Sequence, residues 1–331
     1  MKALLLESTK SYPTYKEVEK PIPAENEVLV KIEAAALNHR DIYISQGLYP
    51  GIVTPIILGS DAAGTVVELG SNVSREFLNR EVIINPNINW GTNPKVQDKK
   101  YSILGMPSNG TLAEYVCVKS DRILDKPSHL NFIEAAAIPL AGLTAYRSLF
   151  TKADLQKGER LFISGIGGGV ALIAFQMALA IGAEVWVSSG CDDKIAQAVK
   201  LGAKGGINYN AENWHKELEK IAGGGFDVIL DSAGGDGFQY FLDLANPAGR
   251  IVFYGGTRGS FKLNPQKMFW KQLTIYGSTM GDDADFDQML SLFNSYKIIP
   301  FVKDVRPLSD GAAAFRDIDE GRQFGKLVLI P

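Results

Sequence analysis

Leu161-Phe-Ile-Ser-Gly-Ile-Gly-Gly-Gly-Val-Ala171 is the stretch that decides the fold of this chain. Apolar and small residues run into a glycine cluster, and a helically spaced apolar pattern follows at Leu172, Phe175, Ala178 and Leu179. The order reads as strand, tight turn and helix opening, which sets free backbone N–H groups and a positive helix end beside a phosphate. Glycine is needed there because a Cβ would hold the backbone away from a pyrophosphate. A glycine turn alone also suits a plain α/β crossover. Working outward, however, Glu184-Val-Trp-Val187 supplies a second strand and Lys194–Lys200 the helix after it, completing a βαβ unit. The segment therefore predicts dinucleotide binding, with Gly165, Gly167, Gly168, Gly169 and Val170 as the phosphate loop.

What the second strand lacks indicates the kind of dinucleotide. An NAD site places an acidic side chain at the end of that strand, where it accepts from the ribose hydroxyls. Here the strand ends Val187-Ser188-Ser189-Gly190, without a carboxylate. Glu184 opens the strand, at the end away from a ligand. Ser189 leaves room for a 2′-phosphate, and Lys194 and Tyr209 are candidates to approach it, so NADPH is the expected cofactor. The plain alternatives are a solvated helix lysine and a half-buried tyrosine at a strand end.

Composition narrows the class. The chain has 331 residues and a formal net charge of −3, which suggests two domains at about 150 residues each. No run of basic residues exceeds Lys99-Lys100, so nucleic-acid and anionic-membrane partners are not expected. Cys117 and Cys191 make neither a disulfide framework nor a structural zinc set. The chain opens directly on the strand pattern Met1-Lys-Ala-Leu-Leu-Leu6 without a signal-like apolar core, and a cytoplasmic location is expected. Leu161–Ala183 is uncharged and long enough for a bilayer, but its glycine cluster and Gln176 suit the strand–turn–helix reading better.

Residues 1–127 read as short strands and turns, including Glu27–Glu33, Gly64–Leu69, Glu81–Ile84 and Leu112–Val118. Their alternation of period two predicts a mostly antiparallel β domain. Residues 128–298 alternate strand and helix after a first helix, Phe132–Phe150, that Pro139 should kink. Strands at Leu161–Ser164, Glu184–Val187, Gly206–Asn208, Phe226–Asp231, Arg250–Tyr254 and Leu273–Tyr276 predict a doubly wound parallel sheet. Phe286–Phe293 adds a helix, and residues 299–331 return to β character and should rejoin the first domain. A ligand is then expected in the cleft between the domains.

At this level the chain resembles the medium-chain dehydrogenase/reductases from its first strand to its last. Leu58-Gly-Ser-Asp-Ala-Ala-Gly-Thr-Val-Val-Glu-Leu-Gly70 is similar to the family's G-H-E-x-x-G-x-V-x-x-x-G signature. Ala141-Gly-Leu-Thr-Ala-Tyr146, Gly202-Ala203 and Gly321-Arg-Gln-Phe-Gly-Lys-Leu-Val-Leu329 carry the rest of the likeness. The resemblance implies an α/β protein: a GroES-like β domain plus a Rossmann domain. Many members hold a catalytic zinc, whose ligand positions fall here on Asn38, Ser60 and Leu140. None offers thiolate, imidazole or carboxylate, and His39 and Asp41 beside the first point elsewhere. Asn87–Gly105, where zinc members carry four cysteines, has none. No metal is therefore expected, and the chain resembles most the zinc-independent, zeta-crystallin-like quinone oxidoreductases, as does Gln46-Gly-Leu-Tyr-Pro50. One departure is Val170 at the third fingerprint position, preceded by the additional Gly169. It allows a slightly shifted pyrophosphate or a later helix start.

Without a Lewis acid, an alkoxide has little stabilisation, whereas hydride transfer to a quinone or an α,β-unsaturated carbonyl spreads its charge into the acceptor. Asn38 can donate to an acceptor oxygen, and Arg40, Tyr43 and Tyr49 are nearby donors; the two tyrosines serve packing equally well. Ser232 and Ala233, Tyr254 and Gly255, and Ser278 and Thr279 follow strands four, five and six at the carboxyl edge, where the nicotinamide amide is held. The resemblance adds Thr144 and Lys326 to the cofactor contacts. Two rival readings are a zinc-type alcohol dehydrogenase and a non-catalytic NADPH-binding sensor or structural protein. Relatives of this kind pair through a sheet edge, and the apolar strands Arg250–Tyr254 and Leu273–Tyr276 predict a homodimer.

Overall fold

Glu27–Ala36 is the strand around which the first folding unit is built. It pairs antiparallel with Asp61–Leu69, Tyr115–Lys119 and the C-terminal strand Lys326–Ile330. Asp61–Leu69 pairs onward with Glu81–Ile84, and Val302–Pro307 runs parallel to Lys326–Ile330. The tail thus shares a sheet with Glu27–Ala36. Alternate residues of these strands bury one face: Val28, Val30, Ile32, Val66, Val116 and Leu329 share a single core with Leu4, Ile84 and Phe315. Each such side chain contributes about 1.5–3 kcal/mol relative to exposure. Gly64 of the signature is explained by close approach, since a Cβ there would lie 2.1 Å from the carbonyl oxygen of Lys31.

This computed structural model describes all residues, Met1–Pro331. It divides into Met1–Ala141 with Asp282–Pro331, and Gly142–Gly281. The expected boundaries at 127/128 and 298/299 therefore move to 141/142 and 281/282. The physical reason lies in packing: the helix Phe132–Ala136 lies against the strands of the first unit, and Asp283 is held by Asn85, Asn87 and Arg122 of that unit. The single kinked helix expected over 132–150 is also corrected. Phe132–Ala136 ends at Ala137, Pro139 opens a new helix to Tyr146, and Arg147–Lys152 continues as a π-helix. Proline lacks an N–H and suits a first turn, so it starts a helix here instead of bending one.

The second unit contains six parallel strands: β1 (Arg160–Ile163), β2 (Glu184–Ser189), β3 (Gly205–Asn208), β4 (Phe226–Asp231), β5 (Ala245–Phe253) and β6 (Thr274–Gly277). Their spatial order is β3-β2-β1-β4-β5-β6. Leu161, Phe162 and Ile163 of β1 and Val228, Ile229 and Leu230 of β4 are fully buried, as a sheet covered on both faces requires. Phe162 stacks on Phe226 and Trp214. Strand order reverses between β1 and β4, so a crevice opens at their carboxyl ends. In neither unit is a helix long and apolar enough to cross a membrane.

Candidate active site

The glycine loop turns from β1 into the helix α1 (Gly169–Ala180), whose N-cap is Gly168. Gly165 and Gly167 take φ values of +70° and +136°, a region that L side chains rarely adopt. The N–H groups of the first turn, Gly169 to Ala171, precede any intrahelical acceptor. Val170 therefore enters the loop as a backbone donor and its side chain asks nothing of a phosphate. Gly165 N–H and Ile166 N–H bond Ser188 at the end of β2. Ser189 Oγ accepts from Cys191 N–H and is buried. The Lys194 side chain lies over Gly167, where a Cβ would meet its Cδ at 3.1 Å.

Beside this loop is a cavity of ≈ 320 Å³ bounded by Gly165, Ser188, Tyr209, Ser232, Ala233 and Arg258, with Trp214 and Phe241 among its apolar walls. The Arg258 guanidinium stacks over the Tyr209 ring, and its backbone N–H bonds Ala233. Asp231 at the end of β4 is buried, which pushes its carboxyl up. Bonds from Ser164 Oγ and the N–H groups of Ala233 and Gly234 oppose that rise and shape the loop. Gly255 lies so close to this loop that a Cβ would stand 2.4 Å from the carbonyl oxygen of Ser232. Desolvation pushes the Tyr254 phenol up, and a hydrogen bond with Ser232 opposes part of that rise. After β6, Ser278 Oγ is buried and has no hydrogen-bond partner. Thr144 Oγ1 bonds Met280 Sδ at 3.8 Å, which brings Thr144 to the Ser278-Thr279 segment. A donor loop, the cavity beside it and an orphaned hydroxyl after β6 fit a nicotinamide dinucleotide.

The first unit assembles a different centre. Asn38 caps the helix His39–Gln46, which ends at Gly47 in the left-handed region. Its amide nitrogen donates to Asp61 Oδ2 at 2.9 Å, and its amide oxygen accepts from Lys326 Nζ at 2.6 Å. Lys326 also donates to Asp61 Oδ2 at 2.9 Å and to Leu37 O at 2.8 Å. Asp61 Oδ1 accepts from the backbone N–H of Leu140 at 2.7 Å. Next to it, Asp41 is fully buried, its carboxyl pushed up by desolvation, and it accepts from the N–H groups of Asn38 and Gly59. Arg40 donates to Ser60 Oγ and to the carbonyls of Ile103, Leu104 and Met106. Of these buried groups, Lys326 and Asp61 form the one ion pair.

These contacts sort the residues expected from sequence. Arg40 commits its terminal nitrogens to a loop and leans on Tyr49, which packs against the core. Tyr43 is half-buried, edge-on to His39, with its phenol pushed up by burial. Lys326 stands with Asn38 in the first unit, its three protons committed there. The remaining expected cofactor residues, Thr144 to Thr279, all lie in the second unit. Asp61, Arg258 and Trp214 are site residues that sequence reasoning missed. Asp61 stands in the quoted signature, and Arg258 follows a glycine pair after a strand; those were the available signals.

The positions aligned with zinc ligands do converge, but what they present does not fit zinc. Asn38 offers an amide already bonded at both ends, Ser60 Oγ is bonded to Leu104 O and Arg40, and Leu140 contributes only its N–H. Zinc needs thiolate, imidazole or carboxylate at about 2.0–2.3 Å, and an ammonium already lies on Asp61. No cluster of three or more His, Cys, Asp and Glu side chains suited to a metal forms elsewhere.

Two family models match the chain, an alcohol dehydrogenase GroES-like domain over residues 24–128 and a zinc-binding dehydrogenase over residues 169–295. The zinc-type alcohol dehydrogenase-like protein YogA of Leptosphaeria maculans is 38% identical over 94% of this chain and 92% of its own. The Homo sapiens quinone oxidoreductase is 28% identical, over 94% and 91%. The crystal structure of an NAD-dependent alcohol dehydrogenase matches with a TM-score of 0.93 at 33% identity, covering 100% of both chains.

Proposed function

Because this chain belongs to the medium-chain dehydrogenase/reductase superfamily of oxidoreductases, we propose that it is a zinc-independent, NADPH-dependent reductase of quinones or α,β-unsaturated carbonyls. The observation that carries this reading is Lys326 Nζ, seated 2.9 Å from Asp61 Oδ2 among the positions that zinc-dependent members use for metal. Bound NADPH supplies the hydride. The chain's own residues bind, orient and donate.

The N–H groups of the Gly165–Val170 loop and the α1 N-terminus receive the pyrophosphate. Ser189, Lys194 and Tyr209, joined by Arg258, receive the phosphorylated ribose. Ser232, Ala233, Tyr254, Gly255, Ser278, Thr279 and Thr144 hold and aim the nicotinamide end, Ser278 Oγ being the hydroxyl free to bond its amide. Asn38 keeps one amide hydrogen beyond the one given to Asp61, and that hydrogen serves the acceptor oxygen as charge develops. Tyr43 stays protonated and is a second donor; Tyr49 and Arg40 support the loop behind it. Delocalisation in a quinone or enone lets such neutral donors suffice where an alkoxide would need a metal.

The test is turnover on a panel of quinones and enones with NADPH, followed at the nicotinamide absorbance, alongside alcohols with NADP⁺. Metal analysis runs on the same preparation. Quinone or enone reduction by metal-free protein supports the proposal. Alcohol oxidation with near-stoichiometric zinc would replace it, and cofactor binding with no turnover at all would favour a sensor.

A further inference from the structure

We propose that Lys326 is a positioning residue, with Asp61 as its partner, that fixes which end of the Asn38 amide is presented to the acceptor; this rests on the reductase reading above. The ammonium has three hydrogens and three acceptors, Leu37 O, Asn38 Oδ1 and Asp61 Oδ2, at 2.6–2.9 Å. Its side chain is 3% exposed and that of Asp61 is 0% exposed. It therefore has no hydrogen left for a ligand and acts only through what it holds.

An amide can be turned end for end at nearly constant shape, and its surroundings decide which atom stands where. Around Asn38 both neighbours make the same choice. Lys326 can only donate, so it takes the oxygen; Asp61 can only accept, so it takes the nitrogen. Turning the amide over would set its N–H₂ against the ammonium and its oxygen against the carboxylate. Both contacts would be repulsive in a buried site. The hydrogen left over is thus on nitrogen, and the centre presents a donor. With the amide reversed, it would present an oxygen to an acceptor oxygen and raise the barrier. Lys326 and Asp61 also cancel in charge, so the donor is aimed without leaving a net charge in the core.

Lys326→Met tests this. Its kcat should fall about a hundredfold, the loss typical of a misplaced oxyanion donor, while the Kd for NADPH stays within twofold. Asn38→Ala should lose a similar factor, and the double variant should lose no more than Asn38→Ala alone, because both changes remove one function. Removing one buried charge threatens folding, so the charge-neutral pair Lys326→Met with Asp61→Asn is made as well and should show the same kcat loss at a wild-type-like melting temperature. A second readout needs no turnover: in ¹⁵N spectra the Asn38 side-chain amide of the wild type should show one hydrogen protected from exchange, and the neutral pair should lose that protection. Multiplying losses in the double variant, or full kcat in a folded Lys326 variant, would overturn the inference. If no acceptor is reduced by the wild type, the reductase reading fails and the amide spectrum alone decides: protection that is absent from the wild type, or unchanged in the neutral pair, would refute the positioning role.

Discussion

Arg258 stacks on Tyr209, its guanidinium carbon 4.9 Å from the ring centroid. The two residues come from loops after β5 and β3, on opposite sides of the crevice, and both line the cavity that contains Trp214. Cation–π contacts of this kind contribute about 0.5–1 kcal/mol when exposed and more when desolvated. A phosphate brought beside the pair gains a charged hydrogen-bond donor. Arg258→Ala should weaken NADPH binding about tenfold, roughly 1.4 kcal/mol, and NADH binding much less. Quenching of tryptophan fluorescence on titration measures both; equal losses for the two cofactors would remove Arg258 from phosphate recognition.

Cofactor choice itself is tested at Ser189. NADPH should bind at least about tenfold more tightly than NADH. Ser189→Asp places a carboxylate where the phosphate would lie and should narrow or invert that ratio. Equal dissociation constants in the wild type would contradict the reading of β2.

The parallel sheet was legible because its strands are short, continuously buried runs bounded by glycine turns, such as Leu161–Ile163 before Gly165. The glycine turn into α1 was legible for the same local reason. The Asn38–Asp61–Lys326 centre was not, since its members lie 23 and 265 positions apart and the pairings of Glu27–Ala36 with both Asp61–Leu69 and Lys326–Ile330 bring them together. Arg258 was not legible because its stack on Tyr209 joins loops that follow two different strands. The single helix expected over Phe132–Phe150 was misjudged where proline's preference for a first turn outweighed apolar continuity through Ala137 and Ile138.

Asp283 predicts an acid-sensitive first unit. Burial alone would raise its carboxyl, but bonds from Arg122, Asn87 and Asn85 outweigh that and hold it below the ordinary range. A carboxyl depressed in the folded state stabilises above its unfolded pKa, about 4, and loses that contribution as pH falls through the folded value. Asp283→Asn should therefore lower the melting temperature modestly at neutral pH and flatten its fall below about pH 4. An acid limb unchanged by the substitution would refute the pairing.

β6 forms one edge of the parallel sheet, β3 the other, and β5 lies inside it. Just before β6, Phe269 and Trp270 are 60% and 78% exposed. An open strand edge beside large apolar side chains suits a second copy related by a two-fold axis. Light scattering at micromolar concentration should give twice the chain mass, and Trp270→Glu should shift it toward one chain. A wild-type mass of one chain, unchanged on concentrating, would exclude the dimer.

The most direct measurement is NADPH oxidation by protein dialysed against a strong chelator, with quinones and enones as acceptors and zinc content determined on the same sample. Sustained turnover at zinc far below one ion per chain, unchanged when zinc is added back, is the result that the zinc-independent reading predicts, with Lys326 Nζ bonded to Asp61 Oδ2. Loss of turnover on chelation that zinc restores would contradict it.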